Sequence, residues 1–113
     1  MKKITIITLV IVGIVIGSCE STTVQEIQPV VTNPTYNSNI KPIFAAKCVS
    51  CHSANGESPA LTNYAEVKDA MENGDVQCRI EHLCGEVMPP SGKMQSVFID
   101  MINNWKDQGY VEQ

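Results

Sequence analysis

Cys48-Val49-Ser50-Cys51-His52 is the stretch whose residue types and spacing carry chemistry. Two thiols three residues apart, with an imidazole directly behind the second, form a C-x-x-C-H run, the attachment signature for a c-type haem. Each thiol adds to one haem vinyl group and becomes a thioether. Two intervening residues let both sulfurs reach neighbouring edges of one macrocycle. The imidazole of His52 then falls beneath the iron as proximal ligand. The run occurs once, so one covalently held haem is expected. Two other chemistries share part of the pattern. A dithiol redox site wants a βαβ context around its C-x-x-C, and the chain shows no strand–helix alternation. Zinc wants four ligands. Cys78, Cys84 and His82 would complete such a set, so zinc stays open at this point.

The elements that must position these residues are helices. Tyr36, Ile40, Ile43 and Phe44 recur at i, i+4, i+7 and i+8, one face of a helix that runs into Cys48. Pro42 falls within it and must sit in the first turn or kink the helix. Ser53 to Leu61 is a loop by composition. Asn63-Tyr64-Ala65-Glu66 has the form of a capping box, followed by Tyr64, Val67 and Met71 at helical spacing and a stop at Gly74. Tyr64 is a candidate to hydrogen-bond a haem propionate, or a core aromatic with a wet hydroxyl. Asp75 caps a second short helix with Val76, Ile80 and Leu83 on one face. Ser96 to Gln108 is the clearest helix, with Phe98, Met101, Ile102 and Trp105 on its apolar side and Gly109 ending it.

At this point the chain resembles the monohaem cytochrome c family, class I-like, over roughly Tyr36 to Gly109. The resemblance implies an all-α domain wrapped around one covalent haem c, with its first helix packed across its last. It implies that the Pro59 carbonyl accepts the second N–H of His52 and that Leu61 covers the ring, although Ser58 replaces the Gly usual in that segment. Gly85 to Gly92 contains Met88-Pro89-Pro90, which resembles the distal-ligand segment of bacterial members. Prolines keep Met88 in a loop rather than a helix, and Met88 becomes the second axial ligand beside His52. Its competitors are Met71, Met94, Met101 and His82. Met71 and Met101 read as core, and Met94 matches a position usually filled by Leu.

The leader is a separate signal. Met1-Lys2-Lys3 precedes an apolar run from Ile4 to Ile16, roughly 13 residues where a bilayer span needs about 20. It reads as a signal peptide over residues 1–18. Ile16-Gly17-Ser18-Cys19 resembles the bacterial lipoprotein cleavage box, which implies acylation of Cys19; an ordinary secretory signal is the alternative. Residues 19–34 then form a lipid-anchored flexible tether and residues 35–113 the cytochrome c domain. With Cys19, Cys48 and Cys51 assigned in an exported chain, Cys78 and Cys84 remain to pair. An unbroken helix between them would rise about 9 Å, more than the roughly 7 Å a disulfide tolerates, so either the helix ends near Glu81 or His82, the favoured reading, or the cysteines stay apart.

The formal net charge is −4, and without Lys2 and Lys3 the mature chain carries 6 basic against 12 acidic residues, or −6. That balance disfavours nucleic acid as a partner. The expected function is a non-enzymatic carrier of single electrons, exported and lipid-anchored, facing periplasm or cell exterior. Its partners would be a respiratory complex, an oxidase or a dehydrogenase. A haem-based gas sensor and an accessory haem subunit of a larger oxidoreductase are the alternatives.

Overall fold

Pro42 dictates how the first helix begins. The structure, a computed structural model, describes residues 31–113; the leader, Cys19 and the tether through Val30 lie outside them. A π-helical turn, Tyr36–Ile40, leads directly into α1, Lys41–Lys47, whose second residue is Pro42. The N–H groups of Ile40 and Lys41 reach back five residues, to the carbonyls of Thr35 and Tyr36. A proline ring clashes with the carbonyl four residues before it, and the wider π turn relieves that clash. α2 (Tyr64–Glu72), α3 (Val76–Ile80) and α4 (Ser96–Asp107) follow, and no strand occurs among the described residues. The domain is all-α.

α2 starts on side chains. The Glu66 N–H donates to Asn63 Oδ1 at 3.1 Å, while the Glu66 carboxylate accepts from the Thr62 N–H at 2.8 Å and its hydroxyl at 2.7 Å. These bonds hold the Glu66 carboxyl below its ordinary value. At the other end a Cβ on Gly74 would stand 2.7 Å from the Ala70 carbonyl oxygen, so the chain leaves α2 where only glycine fits.

α4 closes the domain. Trp105 is wholly buried and packs on Tyr36 at 5.9 Å and edge-on to Tyr110 at 4.8 Å between ring centroids, in one cluster with Ile40 and Phe44. Its buried stripe is Ile99, Ile102 and Trp105, with Phe98 and Met101 half-buried at the flank. This corrects the expected face by about one residue. Gly109 and Tyr110 both take positive φ, 81° and 61°, and reverse the chain. The tail then caps the first helix. Val111 and Glu112 carbonyls accept from the N–H groups of Tyr36 at 2.9 Å and Asn37 at 3.1 Å. Val111 also takes the Trp105 indole N–H at 2.8 Å.

α3 departs from expectation. Asp75 makes no side-chain cap and instead faces Arg79 at 3.6 Å. The helix stops at Ile80, and His82 adopts φ 62°. Leu83, expected on the buried face, is therefore turned outward and 75% exposed.

Glu66→Ala is expected to lower the melting temperature at pH 7. A carboxyl depressed in the folded state contributes stability above its ordinary value, and that contribution fades as pH falls through the folded one. The gap between wild type and variant should therefore narrow below about pH 4, as followed by thermal melts across pH. A gap independent of pH would remove the ionised cap from the account.

Candidate functional site

The C-x-x-C-H run winds off the end of α1 as a continuing turn. The N–H groups of Cys48 and Val49 return to the Phe44 carbonyl at 2.8 and 3.1 Å, and those of Cys51 and His52 to the Cys48 carbonyl at 3.1 and 2.9 Å. Both thiols and the imidazole thus belong to one turn fixed to the core through Phe44. Cys48 is half-buried, Cys51 is exposed, and both are free. Burial pushes the Cys48 thiol up to about 11. A dithiol redox centre is activated by a lowered thiol, and burial moves Cys48 the other way.

The loop after the motif folds back over it. His52 Nδ1 lies 2.8 Å from the Pro59 carbonyl oxygen and 3.2 Å from that of Glu57. Carbonyls only accept, so Nδ1 carries the proton and donates, leaving the lone pair on Nε2 for a metal. The Glu57 N–H returns to the Cys51 carbonyl at 2.9 Å, and the Leu61 N–H to the His52 carbonyl at 2.9 Å. Leu61 is buried. A Cβ on Gly56 would collide with the Cys51 carbonyl. Gly56 and the Glu57 carbonyl carry no side-chain signal in the sequence, and their part emerges only in three dimensions.

Met88 sits half-buried in a loop on the far side of α3 in sequence. Its N–H donates to the Arg79 carbonyl at 3.2 Å, and the Arg79 guanidinium donates to the Glu86 carbonyl at 3.3 Å. Of the competing methionines, Met71 and Met94 are buried in the core and Met101 packs against it. His82 keeps its Nε2 buried without a hydrogen-bond partner.

Cys78 and Cys84 stand at disulfide distance, their Cα atoms 5.5 Å apart. The early end of α3 and the left-handed turn at His82 resolve the conflict with helical rise. No group of three or more His, Cys, Asp or Glu side chains gathers as a metal site among the described residues. No four-ligand zinc set drawn from Cys48, Cys51, Cys78, Cys84 and His82 is therefore assembled.

Tyr64 is placed among the core aromatics. Its hydroxyl donates to the Tyr110 carbonyl at 2.8 Å, and its ring packs edge-on against Tyr36 at 5.4 Å. In this structure the single phenolic proton closes the C-terminal tail.

The residues present fit a c-type haem: two unpaired thiols on one turn, an imidazole whose Nδ1 is already held so that Nε2 is free, and a thioether in a proline-bounded loop. A family model described as Cytochrome c matches residues 38–108. Comparison with curated proteins and with solved structures gives no match.

Tyr64→Phe is expected to cost about 1 kcal/mol, the net worth of one such bond, and to leave the visible spectrum and reduction potential unchanged. Thermal melts and potentiometry on the purified protein check both. A shifted potential would return Tyr64 to the haem.

Proposed function

This chain belongs to the cytochrome c family, and from that premise we propose that it is a lipid-anchored monohaem carrier of single electrons. Membership makes it an electron-carrying haem protein with covalently bound haem c. When bound, that group supplies one-electron chemistry, its iron passing between ferrous and ferric. The observation that carries the reading is His52: its Nδ1 proton is taken by Pro59 at 2.8 Å, so its Nε2 is presented as a ligand from the same turn as two free thiols.

Cys48 and Cys51 hold the ring by thioether bonds. Met88 would supply the second protein ligand, and a thioether favours the softer ferrous state, which would raise the potential. With both axial positions filled, no site remains for a substrate, so the protein passes electrons without transforming a bound molecule. A single C-x-x-C-H sets the count at one haem.

Residues 1–18 direct export, and acylated Cys19 anchors the mature chain to a bacterial membrane, facing periplasm or cell exterior. Thr32 and Pro34 are already held on the domain, the Thr32 carbonyl accepting from Gln108 at 2.6 Å and Pro34 buried, so the tether proper is residues 20–31, whose reach is roughly 40 Å at most. That reach lets the domain meet more than one redox partner while fixed to lipid. The acidic mature chain favours a basic docking surface on a respiratory complex, an oxidase or a dehydrogenase.

Protein matured in a host that attaches haem should stay coloured through denaturing electrophoresis. Its oxidised spectrum should show the weak far-red band that family resemblance implies for Met–iron ligation. Met88→Ala is expected to abolish that band and admit CO to the reduced protein, whereas His82→Ala keeps the band. Colourless protein with free thiols would overturn the reading.

Cys19→Ser should move the protein from the membrane fraction to the soluble one. Unchanged fractionation would remove the anchor.

A further inference from the structure

The loop that carries Met88 has no regular structure of its own, yet it converges on one residue of α3. The Arg79 carbonyl accepts the Met88 N–H at 3.2 Å, and the Arg79 guanidinium reaches the Glu86 carbonyl at 3.3 Å. The guanidinium is oriented in turn by Asp75 at 3.6 Å. Gly85 passes directly over it. A Cβ there would stand 3.3 Å from Arg79 Cζ, at a backbone φ of 54° that side chains rarely take.

The platform beneath Arg79 is well fastened for a five-residue helix. Ile80 is buried in the core. Asn103 of α4 donates to the Glu81 carboxylate at 2.8 Å and accepts from Gln77 at 3.3 Å, and the Lys106 ammonium donates to Gln77 as well. Cys78 and Cys84 close the segment on the other flank. The Met88 loop is thus hinged on a residue whose own position is set by α4.

We propose that Arg79 is the positioning residue for the Met88 thioether, and that its grip on Glu86 and Met88 sets how often the sulfur leaves its axial position. The inference rests on the reading of Met88 as distal ligand. No covalent or redox change is involved: the sulfur lone pair withdraws, and the vacated position accepts another neutral donor.

The test uses the intact haem-loaded protein with imidazole as the probe. Apparent affinity for an incoming ligand scales with the fraction of molecules whose site is open. Loss of one hydrogen bond corresponds to about a fivefold change in such an equilibrium. Arg79→Ala is therefore expected to bind imidazole to the oxidised protein about fivefold more tightly. Arg79→Lys, which keeps a donor but not the fork, should fall between. Gly85→Ala, by crowding the guanidinium, should act in the same direction as Arg79→Ala. A second readout is independent of the iron: amide hydrogen exchange at Met88 should quicken in Arg79→Ala while the amides of α1 and α4 keep their rates. A wild-type protein with the Met–iron band, whose imidazole affinity and Met88 exchange are untouched by all three substitutions, overturns the inference alone. A wild-type protein without that band overturns the assignment of Met88 and this inference with it.

Discussion

The proton on His52 Nδ1 is the constraint around which the motif is arranged. An imidazole can offer a metal only the nitrogen it does not protonate. Two carbonyl oxygens, from Pro59 and Glu57, face Nδ1 and compel it to be the donor. Presenting them requires the chain to return over its own path within seven residues. Gly56 permits that return because no side chain could pass the Cys51 carbonyl. The Leu61 N–H then locks it to His52 from below, with the leucine side chain in the core. A net hydrogen bond is worth only about 1 kcal/mol. Its value here is directional, because it settles the tautomer and the ring plane together.

A turn so local still needs a fixed base. That base is α1, and α1 is held at both ends by non-local contacts. At its far end the Phe44 side chain is buried while its carbonyl starts the motif turn. At its near end, the π turn would leave N–H groups without partners. The C-terminal tail supplies them, and Trp105 pins the tail by donating to the same Val111 carbonyl that caps Tyr36. Tyr64 adds a fourth bond to that tail, from α2. First helix, second helix and last helix therefore meet at three backbone carbonyls, those of Tyr110, Val111 and Glu112, and the aromatic rings around them exclude water.

How much of this was legible in the sequence depended on whether the signal resides in side chains. Apolar spacing located α1, α2 and α4, Asn63 marked a helix start, Gly109 marked a helix end, and C-x-x-C-H named its own chemistry. Val97-Phe98-Ile99 is a continuous apolar run, so periodicity alone had no means of choosing Ile99 over Phe98 for the buried stripe. Leu83 was misplaced because helical spacing was carried past a helix that had already ended at Ile80. The tail capping and the Glu57 carbonyl act through backbone atoms, which are the same at every residue and leave no pattern to read, and the Arg79 guanidinium donates to a backbone carbonyl, so its partner leaves none either. Tyr64 was ambiguous in the sequence because its partner lies 46 positions away.

The two halves of the site are consequently built to different standards. On the His52 side, every tie is short in sequence and wound onto a helix anchored by buried Ile43 and Phe44. On the Met88 side, position depends on a five-residue helix, an arginine a third exposed and paired to an exposed Asp75, and a loop bounded by Gly85 and Gly92. Elements with few buried contacts and solvent-facing hydrogen bonds open first. The polar links from Asn103 and Lys106 resist that opening by joining α3 to the best-packed helix of the domain. In the proposed pair of ligands, His52 would thereby be the permanent one and the Met88 thioether the one whose hold could be adjusted without unfolding the rest.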